Sequence, residues 1–96
     1  MADLIESIDL SHRLHIKLSS SDSTDLFWRY IYAIEERYQI ERGPILDGIY
    51  EMYQDFNLKG VTLILHVEEL EGISIHIKDG SDDALLREVA RFLLGL

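Results

Sequence analysis

Two apolar ridges run along residues 25–38, DLFWRYIYAIEERY, and both have the spacing of a helix. Side chains that recur at intervals of four, three and four residues form the first ridge: Phe27, Ile31, Ile34 and Tyr38. Trp28 and Tyr32, also four residues apart, form a second ridge beside it. A surface helix in a small domain normally carries a single apolar stripe. We therefore expect the first ridge to pack on a sheet, and the second to be covered by the next helix or by another molecule.

Capping residues predict that this helix spans residues 24–42. Ser23 or Thr24 is expected to cap it, because a hydroxyl there accepts a hydrogen bond from the free N–H groups of the first turn. The Gly-Pro pair at 43–44 is expected to end it. Since proline is also favoured at the first position of a helix, a second helix is predicted over residues 45–57.

The predicted second helix has an apolar face and an acidic face. Its apolar side chains recur at helical spacing: Ile45, Ile49, Met52, Tyr53 and Phe56. Its acidic face carries carboxylates spaced four residues apart: Asp47, Glu51 and Asp55. Because like charges at this spacing weaken a helix, we interpret the acidic face as either a solvated surface or a docking site for Lys and Arg side chains of a partner.

Three segments alternate apolar and polar residues with the period of two that is typical of strands: 10–18, 61–68 and 73–78. On this pattern His15, His66 and His76 all lie on the polar face of the sheet. The connection 70–72 is short and ends in glycine, which predicts a hairpin between the last two strands. In the predicted register His66 lies directly opposite His76.

The two ends of the chain are assigned from helical spacing and from caps. Residues 1–9 are compatible with either a short helix or a frayed lead-in. A last helix is expected to begin after Ser81, which caps it, and to end at Gly95. Its apolar stripe contains Leu85, Leu86, Val89, Ala90 and Leu93.

The predicted element order is strand, helix, helix, strand, strand, helix. This order favours an α+β fold, a two-layer α/β sandwich with a three-stranded, mostly antiparallel sheet and helices on one face. We expect residues 1–96 to form a single globular domain. The first strand can lie at either edge of the sheet, and we favour a position beside the last strand and antiparallel to it.

Charge and composition narrow the classes of partner. Eighteen Asp and Glu against nine Lys and Arg give a net charge of −9, which repels nucleic acid and anionic membranes. No apolar run approaches the roughly 20 residues of a membrane span. The charge either keeps a small protein in solution or attracts a basic protein. The chain has no cysteine, which is compatible with a cytoplasmic location.

The three histidines on the polar face are candidate metal ligands. Neutral imidazoles on adjacent strands can share a zinc or copper ion, and Glu68 could reach the same region. An exposed sheet face must nevertheless carry polar residues, and the spacing of the histidines matches no known metal motif. We therefore predict no cofactor, and we retain His15, His66 and His76 as candidates for a metal site or for a pH-sensitive contact.

No catalytic motif is present in the sequence. It contains no cysteine nucleophile, no phosphate-binding loop and no nucleophile elbow. We therefore predict a non-enzymatic protein.

The function that the sequence favours is protein binding. We predict a small acidic protein-binding module, whose most concrete form is an inhibitor of the antitoxin or immunity type that masks a basic surface of its partner. Trp28 and Tyr32 would supply apolar anchorage, and Asp47, Glu51 and Asp55 would supply charge. The alternatives are a metal- or small-ligand-binding domain that uses the histidine face, and a structural homodimer.

Overall fold

The computed structural model describes residues 4–79 and 81–95. The chain forms six strands and two helices in this order: β1 (Ile5–Ile8), β2 (Leu14–Ser19), α1 (Thr24–Arg37), β3 (Glu41–Asp47), β4 (Glu51–Leu58), β5 (Val61–Glu68), β6 (Gly72–Asp79) and α2 (Asp83–Leu94). The strands make one sheet in the order β1-β2-β6-β5-β4-β3, and every neighbouring pair is antiparallel.

The predicted three-stranded sheet is wrong, chiefly because the predicted helix over residues 45–57 does not exist. That segment lies in β3 and β4. In β4 the side chains of Gln54, Phe56 and Leu58 are buried and alternate with more exposed ones, which is the period of a strand. Gly48 lies in the connection between the two strands rather than inside a helix.

The first strand of the sheet, β1, was also missed. It is neither a helix nor a frayed lead-in, although residues 1–3 of the predicted segment lie outside the described residues. Glu6 on β1 accepts two hydrogen bonds from Arg87 on α2, from Nε at 3.0 Å and from a terminal nitrogen at 3.1 Å. This bidentate contact joins the edge strand β1 to the helix α2.

The predicted hairpin of β5 and β6 is confirmed, but its register differs by two residues. His66 pairs with Ser74, and His76 pairs with Ile64. The loop begins one residue earlier than predicted, so that Glu68 pairs with Gly72. Gly72 has a φ of +103°, and a Cβ at this position would clash with the carbonyl oxygen of Ser19. Glycine is therefore required here by both the backbone conformation and the close approach of β2.

The favoured position of the first predicted strand is confirmed. β2 lies beside β6 and antiparallel to it, with His15 opposite His76 and Ile16 opposite Ile75.

The helix α1 is shorter than predicted, but its start is confirmed. Ser23 caps it, and the Ser23 hydroxyl accepts a hydrogen bond from the backbone N–H of Leu26. The helix ends at Arg37, because Tyr38 is already extended. The Gly-Pro pair at 43–44 lies instead at a register irregularity of the edge strand β3, where a proline without an N–H group is tolerated.

The last helix, α2, is capped one residue later than predicted. The side chain of Asp82, rather than that of Ser81, accepts a hydrogen bond from the backbone N–H of Leu85. Its predicted apolar stripe is buried, and Gly95 caps its C-terminus as expected.

Both helices cover the same face of the sheet. α1 contacts β5, and α2 contacts β2 and β6. The covered face and the inner sides of the helices form one core whose fully buried side chains include Ile16, Phe27, Leu63, Ile75 and Leu86. The opposite face of the sheet, which we call the open face, carries the alternate residues of each strand.

No helix within the described ranges is long and apolar enough to cross a membrane.

Candidate functional site

The outer side of α1 carries the second apolar ridge that the sequence indicates. Phe27, Ile31 and Ile34 from the first ridge are buried against the sheet, as predicted. Trp28 is half-buried, and Tyr32 is exposed over 58% of its surface. The two rings lie with their centroids 5.8 Å apart and an interplanar angle of 31°.

Part of this second ridge is covered by the edge strand, and within residues 4–79 and 81–95 no helix follows α1 directly to cover it. The guanidinium of Arg42, in β3, lies 5.8 Å from the centre of the Trp28 ring. Its Nε is also 3.4 Å from a carboxylate oxygen of Glu35 on α1. The ion pair and the cation–π contact together hold Arg42 over Trp28, but Tyr32 remains open to solvent.

A shallow groove runs over these two aromatic rings. We call it the aromatic groove, and its lining residues are Asp25, Trp28, Arg29, Tyr32, Ala33 and Glu36. Asp25 and Glu36 are exposed carboxylates. Neither makes an ion pair within the described part of the chain. The groove therefore offers aromatic rings beside two carboxylates and one guanidinium, that of Arg29.

The three carboxylates of the predicted acidic face do not form a ridge, because they lie on strands. Glu51 and Asp55 lie on the open face, where each already has a partner: His66 Nε2 at 3.3 Å from Glu51 and Lys78 Nζ at 3.0 Å from Asp55. Asp47 on the edge strand β3 pairs with Met52 on β4, and Met52 pairs with Val67 on β5. Because Val67 is buried in the core, Asp47 lies on the covered face of the sheet.

The three histidines do share the open face, as predicted. His15 and His76 are stacked with ring centroids 4.2 Å apart. Nε2 of His15 lies 2.8 Å from a carboxylate oxygen of Asp9. His66 stacks instead on Tyr53 of β4, with centroids 4.1 Å apart and an interplanar angle of only 7°.

The interior position of His76 keeps its imidazole neutral. Burial, followed by the nearby His15, His66 and Arg13, lowers the pKa of His76 to about 4, against the opposing effect of Asp9. Its Nδ1 is buried and has no hydrogen-bond partner among the described residues. A proton added to this ring would therefore be poorly solvated.

Asp9, directly after β1, differs from His76 in that its surroundings stabilise the charged form of its side chain. Its carboxylate accepts hydrogen bonds from the backbone N–H groups of Arg13 and Ser11 and contacts the ring of His15. These contacts, with Arg13 contributing most, lower the pKa of Asp9 to about 2. The turn between β1 and β2 is thus held by a carboxylate that stays ionised at all but very acidic pH.

A further cluster on the open face combines one histidine with two glutamates. Glu51 lies opposite Glu68 in the β4–β5 ladder, and His66 lies two residues before Glu68 on the same face. One ligand atom from each of the three side chains lies within 4.8 Å of the other two. The sequence placed His66 and Glu68 correctly but put Glu51 on a helix. The buried but polar Gln54 interrupts the alternation of apolar and polar residues in β4, so the sequence pattern gave no signal that Glu51 lies on a strand.

No protein-family model, no curated protein and no solved structure matches this chain.

Proposed function

We propose that this chain is a small, acidic, non-enzymatic protein-binding module that engages a basic partner through the aromatic groove. The observation that carries the proposal is the exposed Tyr32, which lies beside Trp28 on the outer side of α1 with the ring centroids 5.8 Å apart. Trp and Tyr are the residues most often found as anchors of protein interfaces, since they bury a large area and keep one polar atom for a hydrogen bond.

The charge around the groove supports a partner that presents Lys or Arg. Asp25 and Glu36 flank the rings, and the whole chain carries a net charge of −9. A cationic side chain can lie over an aromatic ring and reach a carboxylate at the same time, as Arg42 does with Trp28 and Glu35. The chain thus already shows the contact that a partner's arginine would make.

In this proposal the carboxylates of β3 and β4 act mainly through the negative electrostatic potential that they create around the molecule. Glu51 and Asp55 are occupied by His66 and Lys78, so a partner would have to displace those groups to bind them directly. Together with the exposed Asp47 they add to the negative potential that accelerates the approach of a basic protein.

Masking of a basic, nucleic-acid-binding surface is the biological role that we propose for this binding. A tightly bound acidic module would act as an inhibitor of the antitoxin or immunity type. A cytoplasmic location is part of the proposal and rests on the absence of cysteine from the sequence.

Affinity capture from the native host with matched variants tests the proposal. The wild-type chain is compared with a Trp28→Ala/Tyr32→Ala double variant, and bound proteins are quantified by mass spectrometry. The control is Ile49→Ala/Tyr50→Ala, which removes a more exposed apolar pair between β3 and β4. We expect one basic protein to be bound by the wild type and the control but lost from the groove variant. A basic partner retained by all three proteins would place binding elsewhere.

A homodimer is the second candidate, because the same exposed rings could pack against a second copy of the chain. Light scattering separates the two candidates. A dimer mass for the wild type and a monomer mass for the Tyr32→Ala variant would support self-association. A monomer mass for both would eliminate it and leave the partner hypothesis.

A further inference from the structure

The β4–β5 ladder places two carboxylates directly across from each other on the open face. Glu51 and Glu68 are a cross-strand pair, and both are half-buried. Like charges at directly opposite positions destabilise a sheet, unless a cation lies between them. The adjacent side chain is His66, whose Nε2 lies 3.3 Å from a carboxylate oxygen of Glu51.

The imidazole of His66 is held in a fixed orientation. It lies nearly parallel to the ring of Tyr53, with an interplanar angle of 7°. Tyr53 lies two residues after Glu51 on the same face of β4, so its ring lies beside the two carboxylates and packs against the imidazole that is next to them. Support of this kind around the ligands is what orients side chains in metal sites.

We propose that Glu51, His66 and Glu68 bind a divalent transition-metal ion of the zinc class on the open face of the sheet. Two carboxylates balance the double charge of the ion, and one imidazole nitrogen favours zinc over calcium or magnesium, which take oxygen ligands. The three ligand atoms lie within 4.8 Å of one another. Two ligand atoms of a tetrahedral zinc ion, each about 2.0–2.1 Å from the metal, are about 3.3 Å apart. The ligand atoms therefore have to approach one another by up to about 1.5 Å, which rotation of the glutamate side chains allows.

The geometry disfavours the three-histidine site that the sequence suggests. The rings of His15 and His76 are stacked face to face, 4.2 Å apart, and the nitrogen lone pairs lie in the ring planes. Those lone pairs therefore do not converge on a point between the rings. Nε2 of His15 also lies 2.8 Å from Asp9. His66 is the histidine that the carboxylates surround.

Calorimetric titration of the metal-free protein with zinc chloride tests the proposal in the isolated chain. We expect one zinc ion per chain for the wild type at micromolar concentrations. The variants Glu51→Gln, His66→Gln and Glu68→Gln should each weaken binding by about tenfold or more, since changes even to residues that only hydrogen-bond metal ligands have effects of this size. The controls His15→Gln and His76→Gln should bind zinc as the wild type does.

Several outcomes would overturn the site. They are the absence of zinc binding to the folded wild type, unchanged affinity in all three ligand variants, or loss of binding in the His76→Gln control. The last outcome would place the ion on the histidine stack. Because no partner is present in this titration, its failure would leave the proposal for the aromatic groove untouched.

A second measurement on the wild type covers the case in which a ligand variant does not fold. Paramagnetic cobalt is added in place of zinc, and the backbone amide signals are followed by NMR. We expect signals of β4 near Glu51 and of β5 near His66 and Glu68 to broaden first, while those of α2 stay sharp, because α2 lies on the other side of the sheet. Broadening centred on His15 and His76 would contradict the assignment.

Discussion

The aromatic groove and the open face are both exposed, but they differ in their ion pairs. Most charged side chains of the open face pair with a neighbour in the same chain, whereas, in the part of the chain that the structure describes, the carboxylates of the groove do not. On the open face, most charged side chains already have partners: His15 with Asp9, His66 with Glu51, and Lys78 with Asp55. In the aromatic groove, Asp25 and Glu36 have no ion pair within residues 4–79 and 81–95, and Tyr32 is mostly exposed. We propose that this difference separates their roles: the aromatic groove binds a protein partner, and Glu51, His66 and Glu68 on the open face bind a metal ion.

Truncation of single aromatic rings gives the largest expected effects and separates these surfaces from the core. Phe27→Ala should lower the free energy of unfolding by about 3–5 kcal/mol, because Phe27 is fully buried. Tyr53→Ala should lower it by about 1–2 kcal/mol through loss of the stack on His66. Tyr32→Ala should lower it by less than about 1 kcal/mol, because most of the ring is in solvent.

Urea denaturation of the three variants provides these values. Equal losses for Phe27→Ala and Tyr32→Ala would mean that the groove belongs to the core, and the comparison between the surfaces would fail.

The next largest loss of stability is expected from a change at Gln54. Its buried side-chain amide contacts β3, the edge strand that carries Arg42. Gln54 is 2% exposed, and its Nε2 donates hydrogen bonds to the backbone carbonyls of Gly43 and Asp55 at 2.8 Å each. Gln54→Met should lower the free energy of unfolding by about 1–2 kcal/mol, because it leaves the carbonyl of Gly43 without its partner.

The matched control for this change is the exposed Gln39. Gln39→Met should change the free energy of unfolding by no more than about 0.5 kcal/mol. A similar loss of unfolding free energy in both variants would show that the hydrogen bonds of Gln54 do not stabilise the irregular part of β3.

Acid sensitivity is the smallest expected effect, and it belongs to the open face. The pKa of His76 is about 4 in the folded chain against an ordinary 6.5, so the unfolded chain takes up a proton first as the pH falls. Stability should therefore be full above pH 6.5 and decline until about pH 4. Allowing for solvent screening, the decline attributable to His76 is on the order of 1 kcal/mol.

The His76→Gln variant tests the source of this decline. Its thermal midpoint should fall less between pH 6.5 and 4 than that of the wild type. Asp9 does not interfere, because the stability linked to its carboxylate is present above its ordinary pKa of 3.8 and is lost only as the pH falls towards about 2. An identical pH profile for the variant would exclude His76 as the sensitive group.

The parts of the fold that could be predicted are those whose pattern matches their burial. β5 alternates strictly, with Val61, Leu63, Leu65 and Val67 buried and their neighbours half-exposed. In residues 45–58 the pattern and the burial disagree. Gln54 is polar but buried, whereas Ile49 and Tyr50 are apolar but 90% and 68% exposed. These exceptions hide the period of two, and the spacing of the remaining apolar residues imitates a helix.

The two candidate sites also differ in how far the sequence alone could predict them. Trp28 and Tyr32 depend only on the local geometry of α1, so their adjacency could be predicted from a spacing of four residues. The cluster of Glu51, His66 and Glu68 requires the register of β4 against β5. A segment predicted as a helix has no register, and therefore the cluster could not be found from the sequence.

Fluorescence of Trp28 tests the central claim most directly, because it is the chain's single tryptophan and lies in the aromatic groove. Quenching by acrylamide is measured for the free protein and for its complex with the basic partner recovered by affinity capture, provided that the partner contributes no tryptophan signal. We predict that the complex shields Trp28, so that quenching falls. A stoichiometric complex in which Trp28 is quenched as readily as in the free chain would contradict the claim that the partner binds this groove.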